Sequence, residues 1–139
     1  MRLLKYFSVI YLLLLAYTVI GIRIFPVDHY KISLGYNLIP LKKYSDIKSL
    51  HQSARVLVNI DFWGNVLLFI PFPFCIKMLF KINNKWHLLL FGCIMSIAIE
   101  ISQYIFRIGF ADINDVITNS IGTLLGLLFI VQKKVSNEK

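Results

Sequence analysis

Apolar residues fall in four long runs separated by polar stretches. Residues 6–22 carry no charge. Residues 62–76 carry none, and the run continues through Lys77 to Phe80. Residues 86–106 carry only Glu100, and residues 116–132 carry none. A helix needs about 20 mostly apolar residues to cross the hydrocarbon core of a bilayer. The pattern predicts an all-α polytopic membrane protein in one domain over 1–139. Its four transmembrane helices lie at about 4–22, 62–80, 86–106 and 113–132, with a long outer loop, 23–60, between the first two.

The first run has the basic start of a signal peptide, Arg2 and Lys5. Its apolar stretch is long, however, and no A-x-A-like site follows, because Ala16-Tyr17-Thr18 leads into more apolar residues. It reads as a retained helix. Within the outer loop, Pro26, Gly35 and Pro40 break regular structure. Ile47, Leu50, Ala54 and Leu57 then recur at helical spacing, with Lys48, Gln52, Arg55 and Asn59 between them. This predicts an amphipathic helix over 46–58, lying on the membrane surface or packed on the bundle. Such a loop serves as a connector capping the bundle or as a ligand-binding lid.

Charge sets the orientation. With four spans the two tails and the middle loop share a side, which holds Arg2, Lys5, Lys77, Lys81, Lys85, Lys133, Lys134 and Lys139. The other side holds Arg107 and the basic residues spread thinly along 23–60. The denser side belongs in the cytoplasm, so both termini are expected there, in a multi-pass protein of the cell membrane. The chain is 58% hydrophobic and 16% charged, with a net charge of +8. A soluble enzyme, a disordered tail and a secreted disulfide domain are excluded by that balance. The basic excess reads as inside bias and attraction to anionic lipid, not as a nucleic-acid surface. Cys75 and Cys93 fall inside predicted spans and outside any C-x-x-C pair, so they read as buried apolar residues. No metal site or cofactor is expected, and the oligomeric state stays open.

Polar residues in or beside the spans carry the functional signal. Glu100, Gln103 and Arg107 share one face of the third span. Asp61 and Asn65 share one face of the second. Asp112, Asp115, Asn119, Gly122 and Gly126 form one stripe on the fourth. Lipid cannot satisfy such groups, so the three faces are expected to turn inward. They would form a ligand-binding pocket in the outer third of the membrane, where Glu100, Asn65 and Asn119 meet.

Each residue also has a plainer role. Asp61 suits the N-cap of the second span. Asp112 with Asp115 resembles a capping box. Arg107 suits a helix C-terminus. Asn65 and Asn119 suit interhelical hydrogen bonds, and the two glycines suit close helix packing. Glu100 has the weakest structural reason to be there. Four acids against Arg107 leave −3 if all ionise. Three resolutions stand open: Glu100 holds a proton, a cation enters, or Arg107 bridges several acids.

In order along the chain, these segments resemble the VanZ-like family of small bacterial membrane proteins. Asn37-Leu38-Ile39-Pro40 resembles its N-L-x-P element. Gly64-Asn65 through Phe69-Ile70-Pro71 resembles G-N-x-x-x-F-x-P. Glu100-Ile101-Ser102-Gln103, Asp112-Ile113-Asn114-Asp115 and Asn119 through Gly122 resemble E-x-x-Q, D-x-D-D and N-x-x-G. Pro73 stands where the family usually has Gly, and Asn114 where it often has Asp. The Pro71/Pro73 pair predicts a kink in the second span. The resemblance implies an association with resistance to glycopeptide antibiotics of the teicoplanin type.

Three functions follow. The first is a non-enzymatic envelope protein whose pocket binds an envelope component or the antibiotic. The second is an intramembrane enzyme acting on a lipid-linked or envelope substrate, with Glu100 or Asp115 as base and Arg107 as anion clamp. The third is a structural membrane protein in which the polar groups are interhelical glue. The missing nucleophile and the scattered His29, His51 and His87 weigh against the enzyme.

Overall fold

The computed structural model describes residues 2–21, 35–45 and 47–130. Arg23, Pro26, His29 and Lys31 of the outer loop lie outside the described residues, as do the C-terminal Lys133, Lys134 and Lys139. The protein is mostly helical. Helix α1 is Arg2–Ala16 and continues as a π-helical turn, Tyr17–Gly21. A short strand β1, Gly35–Asn37, is followed by α2, Lys42–Ser45, and a 3₁₀ turn, Ile47–Ser49. Then come α3, Gln52–Phe69, α4, Phe72–Phe80, and α5, Lys85–Ile105. Strand β2, Phe110–Asp112, leads directly into α6, Ile113–Leu128.

Three stretches are long and apolar enough to cross a membrane: Arg2–Gly21, Gln52–Phe80 and Lys85–Ile105. Helix α6 is apolar but shorter. At 1.5 Å per residue it spans about 24 Å, against roughly 30 Å of hydrocarbon. The predicted fourth span ran to 132, and its last residues lie outside those described.

The second predicted span needs correction at its start, while its end at Phe80 is as expected. It starts at Gln52, not 62, so the predicted amphipathic helix over 46–58 is not a separate element. Asn59-Ile60-Asp61 contains no glycine or proline, and nothing stops α3 from running through it. Asp61 therefore lies in mid-helix and is not an N-cap. The predicted kink is present: Pro71 cannot supply the N–H that would bond Leu67, and helix assignment lapses at Ile70 and Pro71. Both keep helical dihedrals, so the chain bends without reversing. At this break the Tyr11 hydroxyl of α1 donates to the Leu68 carbonyl.

The core lies at mid-bundle, where Leu15, Phe69, Phe72, Ile76, Leu88, Ile99 and Leu127 pack together. Helix α6 packs against α3 through Gly122 and Gly126. A Cβ on Gly122 would press on the Val66 carbonyl, and one on Gly126 on the Ile70 carbonyl. The expected glycine packing face is thus present. Tyr11 reaches Leu68, and Gln103 Nε2 donates to the Val19 carbonyl at 3.3 Å. These contacts run α1 antiparallel to α3–α4 and place its C-terminal end beside that of α5.

The two strands depart from an all-α fold. They pair in parallel, Gly35 with Phe110, Tyr36 with Ala111 and Asn37 with Asp112. Extended backbone at the end of a bundle needs partners for its N–H and C=O groups, and each segment supplies them to the other.

Candidate functional site

The site is built at the end of the bundle where β1, β2, α2 and the start of α6 meet. Asp112 has extended dihedrals and caps α6, its side chain accepting from Asn114 N at 2.9 Å. The same oxygen accepts from Asn114 Nδ2 at 2.7 Å and from Asn37 Nδ2 at 2.9 Å. In a capping box the residue at N3 bonds the cap's own N–H. Here Glu100 of α5 does so, with Asp112 N donating to its Oε2 at 2.7 Å. Asp115, at N3, looks elsewhere. The buried carboxylate of α5 thus fixes the start of α6.

The segment after β1 is latched onto this cap. Asn37 Oδ1 accepts from Ile39 N at 3.2 Å, closing a local turn. Leu41 sits at φ 60°, in the left-handed region a leucine rarely adopts. Its N–H donates to Asn114 Oδ1 at 2.6 Å. Lys43 then pairs with Asp61 of α3 and lies 3.8 Å from Asp115 of α6. Burial pulls the Lys43 pKa down, but its hydrogen bond to Asp61 and the charges of Asp115 and Asp61 outweigh this, so the net shift is upward. Tyr44 packs edge-on against Phe62 at 5.5 Å between ring centres. Burial pushes its phenol up to about 12.

The asparagine at 114 is wholly buried and serves both sides of the latch. Asn114→Ala is expected to destabilise the protein by about 1–3 kcal/mol, because it strands the Leu41 N–H. It should also speed limited proteolysis between Leu38 and Ser45. Cleavage at the wild-type rate would show that the latch does not hold this segment.

The expected pocket is only partly assembled. Asp61 and Asp115 meet, but around Lys43. Glu100 meets Asp112 through its backbone. Asn119 Nδ2 donates to Ser96 Oγ at 2.8 Å, and Gln103 bonds Val19. No direct hydrogen bond joins Asn65, Glu100 and Asn119 among the described residues. Asn65 Nδ2 and Asn119 Oδ1 are buried without a hydrogen-bond partner among them.

Arg107 does not bridge the acids. It is exposed and forms no ion pair among the described residues. It ends α5 at φ 54°, with Arg107 N donating to Tyr104 O and Ile108 N to Gln103 O. That is a Schellman ending with arginine where glycine is usual. Its plainer role at a helix C-terminus fits.

Sequence reasoning missed Lys43, Tyr44 and Ser96 as participants. Asn37 and Asn114 were visible only as motif positions. Among the described residues, no three His, Cys, Asp or Glu side chains are grouped to hold a metal ion.

Long apolar helices, a glycine-packed pair and a polar end cap define a small helical membrane protein. The family model described as VanZ/LLP1 matches residues 7–134. The chain is 35% identical over 114 residues to Protein VanZ of Enterococcus faecium, covering 76% of this chain and 67% of that one. No solved structure matches. The chain belongs to the VanZ-like family.

Proposed function

We propose that this protein is a four-crossing, non-enzymatic component of the cell membrane that alters how teicoplanin-type glycopeptides meet the envelope. In this reading 1–139 is one domain, both termini are cytoplasmic, and the latched polar end faces outward to bind an envelope component or the antibiotic. The observation that carries it is the latch itself: Asn37, Asp112 and Asn114 of the family-like motifs join one cluster with Lys43, Asp61 and Asp115. The relative's name and the family resemblance support the drug association. Arg2, Lys5, Lys77, Lys81 and Lys85 sit at the opposite end, which supports the orientation.

The test is teicoplanin susceptibility of a sensitive host with and without the chain, then with Glu100→Ala and Asp115→Ala at matched membrane abundance. Raised tolerance with wild type, lost in both variants, is the expected result. Variants that protect as well as wild type would remove the polar end from the function. Reporter fusions at each terminus should place both inside; an outward terminus would overturn the orientation.

A structural role for the polar groups is favoured by one observation. Asn119 and Gln103 spend donors on Ser96 and Val19 inside the bundle. That reading gains if Glu100→Gln and Asn119→Ala lower thermal stability and leave drug susceptibility unchanged. The geometry does not favour the enzyme alternative, because its candidate bases are engaged, Glu100 by Asp112 N and Asp115 by Lys43 at 3.8 Å.

A further inference from the structure

Beside the latch, the flank of α5 carries a second feature. Ile97, Ile101 and Tyr104 are exposed on one stripe, spaced four and three residues apart. With Leu38, Ala111 and Val116 they line a cavity of about 360 Å³ between α5, β1 and α6. Glu100 and Asp112 also line it. Their carboxylates are engaged, Glu100 by a backbone N–H and Asp112 by amide donors. The rest of the wall is aliphatic or aromatic. Such a volume has room for about a dozen water-sized groups, enough for a length of acyl chain.

The groove does not end at Tyr104. A neighbouring cavity shares that residue and is lined by Arg107, Gly35 and Gly109. Arg107 is exposed and forms no ion pair among the described residues. Moving from Ile97 to Arg107, the surface changes from aliphatic to aromatic to cationic over about 15 Å. That is about half the thickness of the hydrocarbon core, the depth of one leaflet. A phospholipid presents the same order, acyl chain inside and phosphate at the boundary. Charge complementarity therefore selects an anionic lipid over a zwitterionic one.

We propose that this groove holds one anionic phospholipid of the surrounding bilayer, its acyl chain against Ile97, Ile101 and Val116 and its phosphate at Arg107. The site requires only that α5 cross the membrane. It is independent of any drug phenotype.

The full chain is to be reconstituted in nanodiscs containing equal phosphatidylglycerol and phosphatidylcholine with identical acyl chains. Lipid retained after detergent extraction is then counted by native mass spectrometry. Wild type should retain phosphatidylglycerol over phosphatidylcholine by about fivefold, the effect of one cationic side chain at an anionic headgroup. Arg107→Asn should abolish the preference while acyl lipid stays bound; asparagine tolerates the left-handed backbone there. Ile101→Trp, which fills the groove from an exposed position, should lower retention of both lipids. Lys85→Gln, at the far end of α5, should lower the preference less than Arg107→Asn does. Equal retention by wild type, an unaltered ratio in Arg107→Asn, or an equal drop in Lys85→Gln would overturn the site. If Ile101→Trp fails to fold, the contrast between Arg107 and Lys85 decides alone.

Discussion

Alanine at Gly122 or Gly126 will separate α3 from α6 and cost the protein much of its stability. A Cβ at either position lands on a backbone carbonyl, of Val66 or of Ile70, well inside van der Waals contact. A flexible side chain could swing away, but a helix backbone cannot. Overpacking of this kind costs about 1–3 kcal/mol per site and sometimes more. The double variant should lose several kcal/mol from a total that is typically about 5–15. Gly64 supplies the control, since nothing lies within 4 Å of a Cβ built there. Gly64→Ala should be neutral or gain up to about 1 kcal/mol from helix propensity. The check is thermal unfolding in detergent, with monodisperse yield beside it. If Gly122→Ala melts with Gly64→Ala, the contact between α3 and α6 is not the one described.

Those glycines mark what was legible in the sequence. Their spacing of four on one helix stripe fixes a packing face, because only close backbone approach uses a smooth surface on an apolar helix. The proline pair was equally readable, since a missing N–H has a local consequence. Apolar runs gave the long helices for the same reason.

The tertiary pairings were not readable. Glu100 stood out as an acid inside a span, but one partner it takes is a backbone N–H twelve residues on. A backbone donor leaves no mark in the side-chain pattern. Arg107 looked like the natural counter-charge because it shares a helix face with Glu100. The left-handed ending of α5 takes it out of that register. Lys43 was one basic residue among several in a loop. The parallel pairing of β1 with β2, three residues long, and the contacts of Asn37 and Leu41 to the start of α6 bring its segment over Asp61 and Asp115. So short a pairing has no periodicity to detect.

Lys43→Ala tests that assembly most directly. Asp61 and Asp115 come from different helices, and Lys43 is the cation placed between them. Removing one partner of a fully buried ion pair costs about 3–5 kcal/mol. The Lys43 and Asp61 side chains retain 27% and 37% exposure, so water screens part of the loss. A cost of about 2 kcal/mol is expected. Lys43→Ala/Asp61→Asn should recover roughly half of it, because the second change removes one of the two facing negative charges; additive losses would deny the coupling. The pH dependence carries the same signature. A lysine whose pKa is raised by folding stabilises fully below its unfolded value and loses that contribution as pH rises through the folded one. Tyr44 adds to this, since its buried phenol resists ionisation between pH 10 and about 12 while the unfolded one does not. Wild type should therefore melt progressively earlier above pH 10. Lys43→Ala should start lower at neutral pH; set in a Tyr44→Phe background, because Lys43 itself pulls the Tyr44 phenol's pKa down, it should also fall less steeply across that window. A curve parallel to that of Tyr44→Phe alone would place the lysine outside the pair.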